Sequence, residues 1–287
     1  MHDLLIIGSG PAGVSAALSA QARSLDFLWF GSRSLSAKIE KAERVMNYPG
    51  HPAVTGVEMR DAFLRQIDDL NIPIREERVN AVYNMGGYYT ACVNEKTYDG
   101  RTVLLATGVS GSREIPGESR LLGRGVSYCA TCDGALYRGK EIAVACTDPA
   151  QEEEVEFLAG LASRVLLFTS YKNCGIQRDN VCHTVGSPSE ILGESRVEGI
   201  VFGGKEEAVA GIFCLRPSVA PAALLPGLAV EGGHIQADRQ QRTNLPGCFA
   251  AGDCTGRPYQ YAKAVGEGNV ALHSVLQYLQ ERQQKGT

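Results

Sequence analysis

An α/β chain of two wound units is what the sequence predicts, and three observations predict it. An apolar run, Asp3-Leu4-Leu5-Ile6-Ile7, breaks into a glycine-rich turn and then an Ala-rich stretch, the start of a βαβ unit. A second strand–helix–strand pattern begins near Glu141 and repeats the plan of the first with little residue identity. The 287 residues leave room for about two domains at roughly 150 residues each. The expected architecture is therefore two Rossmann-like (three-layer) domains.

The elements follow in order. Residues 3–7 read as a fully buried parallel strand, because their apolar side chains are continuous rather than alternating. Residues 14–23 form the following helix and 26–30 the next strand. Asn47-Tyr48-Pro49-Gly50 signals a turn, and 56–70 an amphipathic helix. Residues 78–93 alternate and break at Gly86-Gly87, as a hairpin does, and 102–108 are another buried strand ending in a glycine turn. In the second unit, 142–146 is a strand, 152–161 a helix and 164–169 a strand, with weaker strands through Val201 and Phe213. Residues 245–253 return to strand-and-turn composition, and 262–284 close as a helix. No low-complexity linker separates the halves, so the joints are expected to be tight.

Composition excludes several classes of function. Hydrophobic residues make up 44% and charged residues 21%, which gives a sizeable core and disfavours disorder. A net charge of −4 offers no basic surplus for nucleic acid. The longest apolar stretch, residues 208–230, contains Arg216 and three prolines and so cannot span a bilayer. Met1-His2-Asp3 lacks the character of a signal peptide, so the nine cysteines are expected as reduced thiols in a cytoplasmic protein rather than a disulfide framework.

Gly8-Ser9-Gly10-Pro11-Ala12-Gly13 has the GxGxxG spacing in its required context, with a buried strand before it and a helix after it. Gly8 permits the sharp turn, Gly10 lets a pyrophosphate approach the backbone, and Gly13 lets the helix pack on the strand. The amides at the helix start then favour an anion. A nucleotide is expected here. The usual acidic ribose partner is absent: Trp29-Phe30-Gly31-Ser32-Arg33 stands at the end of the second strand, and Asp26 lies at its wrong end.

Cys129-Ala130-Thr131-Cys132 is the single CxxC of the chain. A structural zinc ion wants a second pair or closely spaced histidines, and Cys174, Cys182 and His183 do not supply that spacing, so redox chemistry is preferred and no metal is expected. One thiol of such a pair can be held as a thiolate. Asp133 follows directly and could shuttle a proton, or could equally be a turn residue before Gly134. The other seven cysteines, scattered singly, read as small core hydrophobes.

Five motifs now stand in order: residues 8–13, Asn47-Tyr48-Pro49-Gly50, Ala106-Thr107-Gly108, Cys129-Ala130-Thr131-Cys132-Asp133-Gly134, and the run Thr243 through Ala251-Gly252-Asp253. Together they resemble the low-molecular-weight thioredoxin reductases over nearly the whole chain. The resemblance implies an FAD domain made of residues 1–114 and 242–287, with residues 115–241 inserted as a smaller domain carrying the CxxC. It also implies a homodimer, thioredoxin as substrate, and a redox disulfide that faces the flavin. By the same resemblance Asn47, Thr107, Gly108, Gly252, Asp253, Gln260, Tyr261 and Ala262 contact FAD together with Gly8, Ser9, Gly10, Pro11, Ala12 and Gly13. Cys132 is then the flavin-proximal sulfur, Cys129 attacks the protein substrate, and Asp133 completes the catalytic set.

The sequence departs from this family where a second glycine fingerprint, for NADPH, is due. Residues 143–156 contain no glycine, and Glu152, Glu153, Glu154 and Glu156 crowd the start of the following helix, where carboxylates oppose phosphate. The arginine cluster for a 2′-phosphate is replaced by Thr169-Ser170-Tyr171-Lys172-Asn173. Ser36-Ala37-Lys38-Ile39 stands where the family has a glycine-glycine-glutamine turn. FAD and a CxxC without a nicotinamide site resemble the ferredoxin-dependent flavin thioredoxin reductases, which implies ferredoxin as electron donor. Lys38, Lys41, Arg44, Arg257 and Lys263 are candidates for the basic patch an acidic ferredoxin needs. The competing readings are a reductase with a divergent NAD(P)H site and a non-enzymatic flavin redox sensor.

Overall fold

The structure, a computed structural model, describes all residues except 41, 52, 110–113, 119, 129, 217–220, 286 and 287, and all side chains of the rest except those of 37, 38, 132, 221, 222 and 285. The chain divides into two compact units, Met1–Val109 with Leu224–Thr287, and Ser110–Ala223. Each is a wound α/β unit, as the sequence predicts.

The first unit is built on four parallel strands, in the order Phe27–Phe30, His2–Ile7, Lys96–Leu105 and Cys248–Ala250. The strand Lys96–Leu105 serves twice. Its buried second half lies between His2–Ile7 and Cys248–Ala250, while its exposed first half pairs antiparallel with Tyr89–Val93, which hairpins back to Ala81–Asn84. The sequence marks only the apolar second half, because Lys96 to Asp99 carry no hydrophobic run. Helix Pro11–Ala22 packs against the C-terminal helix Tyr261–Lys285. Gly268 allows their close approach: a Cβ there would fall 2.1 Å from the carbonyl oxygen of Ala12. Leu4, Ile6, Val14, Trp29, Phe249 and Leu272 fill the core between sheet and helices.

The second unit carries five parallel strands in the order Val126–Ser127, Ile212–Leu215, Glu141–Cys146, Arg164–Thr169 and Val181–Val185. Helix Glu152–Leu161 buries Val155, Leu158 and Ala159 against Ile142, Val144, Val165 and Leu167. A three-stranded antiparallel meander, Glu190–Leu192, Gly199–Phe202 and Lys205–Ala208, completes it. Val181–Val185 and Lys205–Ala208 go unpredicted because each sits at a sheet edge with most side chains exposed, so hydrophobic patterning is weak there.

In both units the strand order reverses beside the first strand of the βαβ. The neighbouring carboxyl ends are Ile7 and Leu105 in the first unit, and Cys146 and Leu215 in the second. A crevice for a ligand opens at such a switch point.

The scattered cysteines divide by burial. Cys146, Cys214, Cys248 and Cys254 are buried, Cys92 and Cys174 partly so, and Cys182 is exposed, which corrects its reading as core. Cys182 lies on the exposed edge strand, where alternation turns its side chain outward. Burial pushes the Cys248 thiol up to about 12 and the Cys254 thiol to about 11. At pH 8 iodoacetamide is therefore expected to label Cys182 first and to spare Cys146, Cys214, Cys248 and Cys254, as peptide mass mapping would show. Because these folded-state values are raised, the stability they contribute is intact below about pH 9 and is lost as pH rises through 11 to 12.

Candidate functional site

The glycine turn of the first unit is held open by its neighbours. Gly8 has φ +113°, and a Cβ on it would fall 2.2 Å from the Ala106 carbonyl oxygen. A Cβ on Gly13 would lie 2.0 Å from the Gly8 carbonyl oxygen, which also accepts from Trp29 Nε1 at 2.9 Å. Both glycines are therefore required by the fold itself. Gly10 differs: no atom lies within 4 Å of the place its Cβ would take. Pro11 opens the helix, no acidic residue stands in its first turn, and the amides of Ala12 and Gly13 precede any helical carbonyl that could receive them. The turn thus offers open space, free donors and a positive dipole end, the fit required for a pyrophosphate. The buried Ser9 hydroxyl donates to the Leu35 carbonyl at 3.0 Å and accepts from the Ser32 amide at 2.8 Å, tying the turn to the loop after the second strand.

Two further segments with expected roles adjoin this turn, and a third pair of expected residues joins across the chain. Thr107 and Gly108 follow strand Lys96–Leu105, where Gly108 takes φ +69° beside open space. Gly252, at φ +90°, would set a Cβ 3.0 Å from that of Ala12, and Asp253 begins the short 3₁₀ turn Asp253–Thr255. Asn47 and Gln260, 213 residues apart, join through a 2.7 Å bond from Asn47 Nδ2 to Gln260 Oε1. Tyr261 and Ala262 follow at the start of the C-terminal helix.

Lys263 does not face a partner as an open cation. Its ammonium donates to the Gly252 and Gly256 carbonyls, both at 2.9 Å, and to Glu267 Oε2 at 3.0 Å, while Glu267 also accepts from the Gly252 amide. It pins the turn that carries Asp253. Among the other basic candidates Arg44 and Arg257 are exposed, Arg257 lying 5.5 Å from the Tyr259 ring centre. Lys41 and the Lys38 side chain are outside the described residues.

In the second unit the CxxC begins outside the described residues, at Cys129. Cys132 lies in the one-turn helix Ala130–Asp133. Asp133 Oδ2 accepts from the Ser127 hydroxyl at 2.6 Å, so the carboxylate is oriented by the strand that leads into the motif. The first amide of the helix, that of Ala130, donates to Glu154 Oε2 at 3.2 Å. Just before the motif, Tyr128 donates to Glu118 Oε1 at 2.6 Å. Glu118 is fully buried and takes the Arg216 guanidinium on both oxygens, at 2.6 and 2.7 Å, and the Ile115 amide at 2.8 Å. Burial and the Glu118 carboxylate push the Tyr128 phenol far above its ordinary range.

Arg216 follows strand Ile212–Leu215, so it stands at the switch point of the second unit. On the other side of that point the chain bonds to itself. After Cys146 the backbone enters a 3₁₀ turn, Pro149–Gln151, capped by Asp148 Oδ1 on the Ala150 amide at 3.0 Å. Cys146 Sγ lies 3.5 Å from the Tyr171 hydroxyl, which burial and its bonds to Cys146 and Glu152 push upward. Glu152 Oε2 accepts from the Gly175 amide at 3.0 Å. Carboxylates read from the sequence only as repelling phosphate are thus tied to the chain: Glu152 to Gly175, Glu154 to Ala130, and Glu156 to Arg178.

Sequence reasoning missed Glu118, Tyr128 and Ser127, and read Glu154 only as a charge opposing phosphate. The one signal available was Arg216 itself, a charge inside an apolar run that had to be answered by a buried partner.

Comparison with known proteins agrees with this geometry. The family model described as "Pyridine nucleotide-disulphide oxidoreductase" matches residues 2–146 and 204–268, breaking off at Cys146 where the altered turn begins. Thioredoxin reductase of Listeria monocytogenes is 30% identical over 98% of this chain and 95% of its own length. The crystal structure of a ferredoxin-flavin thioredoxin reductase from Clostridium acetobutylicum is 41% identical, covers 98% of both chains and has a TM-score of 0.87. The atypical thioredoxin reductase TRi from Desulfovibrio vulgaris Hildenborough is 30% identical over 98% of this chain and 99% of its own, with a TM-score of 0.73. With its glycine turn and its CxxC helix so placed, the chain belongs to the pyridine nucleotide-disulphide oxidoreductase family and is a thioredoxin reductase-type flavin oxidoreductase that binds FAD.

Proposed function

We propose that this flavoenzyme reduces thioredoxin with electrons from reduced ferredoxin and does not use NADPH. The observation that carries the reading is the filled switch point of the second unit, where Arg216, Tyr171, Cys146 and Glu152 stand in place of an open glycine turn. A dinucleotide there would have to displace buried side chains and then meet the acidic first turn Glu152, Glu153 and Glu154. Each of these carboxylates opposes a phosphate, the partly buried Glu152 and Glu154 more than the exposed Glu153. The close likeness to a protein named as a ferredoxin-flavin thioredoxin reductase supports the same reading.

In this reading Gly8, Ser9, Gly10, Pro11, Ala12 and Gly13 hold the FAD pyrophosphate, and Asn47, Thr107, Gly108, Gly252, Asp253, Gln260, Tyr261 and Ala262 hold the rest. Bound there, FAD supplies chemistry that accepts electrons singly and yields them in pairs, as a disulfide requires. The chain's own part is thiol exchange. The Cys129–Cys132 disulfide accepts two electrons and two protons to become a dithiol. Cys129 as thiolate attacks the thioredoxin disulfide, one thioredoxin sulfur leaves as thiolate, and a mixed disulfide forms. Cys132 then displaces the second thioredoxin sulfur and restores the Cys129–Cys132 bond. In this reading Asp133, which accepts from the Ser127 hydroxyl, supplies the proton to a leaving thiolate.

Both partners have a surface to meet. Leu136 is 67% exposed and Phe157 42%, and Phe157 lies against Gly134, next to the CxxC helix, where a protein disulfide must approach. Arg44 and Arg257 are exposed in the first unit, near Asn47 and Gln260 in the chain, and suit an acidic ferredoxin. The test is steady-state reduction of thioredoxin with each donor in turn. Reduced ferredoxin is expected to sustain turnover, with NADPH at least about a hundredfold slower. Comparable rates with NADPH would overturn the proposal.

A further inference from the structure

The first two turns of helix Tyr261–Lys285 gather segments that lie far apart in the chain. Gln260, just before the helix, holds Asn47, and Gly268 lets the helix lie against Ala12 in the glycine turn. Between these two points Lys263 and Glu267 grip residues 252–256. The Lys263 ammonium donates to the Gly252 and Gly256 carbonyls, both at 2.9 Å, and to Glu267 Oε2 at 3.0 Å. That same carboxylate oxygen accepts from the Gly252 amide at 2.8 Å, with Thr255 Oγ1 3.0 Å away. The peptide groups on both sides of Gly252, a residue at φ +90°, are therefore fixed by side chains of one helix. Asp253 follows directly.

The helix by itself does not call for this pair. A cation in the first turn opposes the positive end of the dipole, and Lys ahead of Glu is the less favourable order at four-residue spacing. The two side chains are only 18% and 20% exposed, so desolvation adds to the cost. The turn supplies what offsets it: two backbone carbonyls and a carboxylate oxygen converge on one point, and an ammonium has three protons to give them.

We propose that Lys263 and Glu267 are positioning residues for the cofactor: they clamp residues 252–256 so that Asp253 is set to hold FAD. The proposal deepens the function proposed above and rests on Asp253 being a cofactor contact. Loss of the clamp should let FAD escape from a chain that stays folded.

The test uses the intact FAD-loaded protein, diluted at a temperature well below its melting point, and follows the fluorescence of flavin released with time. In Lys263→Met release is expected to be at least about tenfold faster than in the wild type, the effect of losing hydrogen bonds from a charged group. Lys263→Arg keeps the charge and its donors and should release FAD at a rate nearer the wild type. Gln277→Ala breaks a 2.8 Å bond of the same spacing, to Glu281 farther along the helix, and should leave release unchanged. Melting curves in excess FAD separate a lost cofactor from a lost fold. Should Lys263→Met not fold, Glu267→Gln carries the test: it keeps an acceptor for the Gly252 amide, loses the charge that holds Lys263, and is expected to release FAD about threefold faster. Wild-type release in both variants, or equal acceleration in Gln277→Ala, would overturn the clamp. Asp253→Ala distinguishes this from failure of the reading beneath it. Faster release is expected there, and a wild-type rate would overturn the placing of FAD on Asp253, whereas acceleration there with none in Lys263→Met would overturn the clamp alone.

Discussion

Arg216→Met is expected to destabilise the second unit by about 3–5 kcal/mol, several times what loss of an exposed ion pair costs. The guanidinium and Glu118 are almost wholly excluded from water, and they meet through two short parallel bonds. Removing the cation leaves a carboxylate without its Arg216 counter-charge in a low-dielectric interior, holding the Tyr128 hydroxyl and the Ile115 amide. For a unit of this size the loss should lower its melting temperature by about 10 °C or more. Glu118→Gln combined with Arg216→Met should recover much of that, since the neutral amide no longer needs a partner cation. Calorimetry with hydrogen exchange on strand Glu141–Cys146 would locate the loss. A change below about 1 kcal/mol would mean that the pair contributes no more than a surface ion pair.

Gly10→Val and Gly13→Ala are expected to fail in different ways. At Gly10 the new side chain enters open space, so the chain should fold and melt near the wild type but bind FAD at least about a hundredfold more weakly, because a pyrophosphate can no longer lie against the backbone. At Gly13 even a methyl group meets the Gly8 carbonyl oxygen at 2.0 Å, so the turn itself must shift and stability should fall by about 1–3 kcal/mol with or without cofactor. Fluorescence titration of the apoprotein with FAD, beside its melting curve, distinguishes the two. Wild-type affinity in Gly10→Val would move the pyrophosphate away from this turn.

What the sequence revealed and what it concealed follow from the range of the interactions. The glycine turn, its strand and its helix are local, and continuous burial in His2–Ile7 is written in continuous apolar residues. The missing glycines after Cys146 are equally local and could be read directly. Pairings across the chain were hidden. Arg216 and Glu118 are 98 residues apart, and Glu154 and Ala130 are 24 apart, and only the parallel order of the sheet brings such ends together. Lys263 looked like a surface cation because two of its partners are backbone carbonyls of a turn, which have no signature in residue type. Edge strands such as Lys205–Ala208 were lost for the opposite reason: nothing in them is buried.

The most direct measurement is anaerobic stopped-flow absorbance of the oxidised flavin band after mixing the holoenzyme with NADPH or with reduced ferredoxin. A protein whose second switch point is closed by Arg216, Tyr171 and Glu152 should keep its flavin colour with NADPH and lose it with two equivalents of reduced ferredoxin. Rapid stoichiometric bleaching by NADPH alone would contradict the account at its centre.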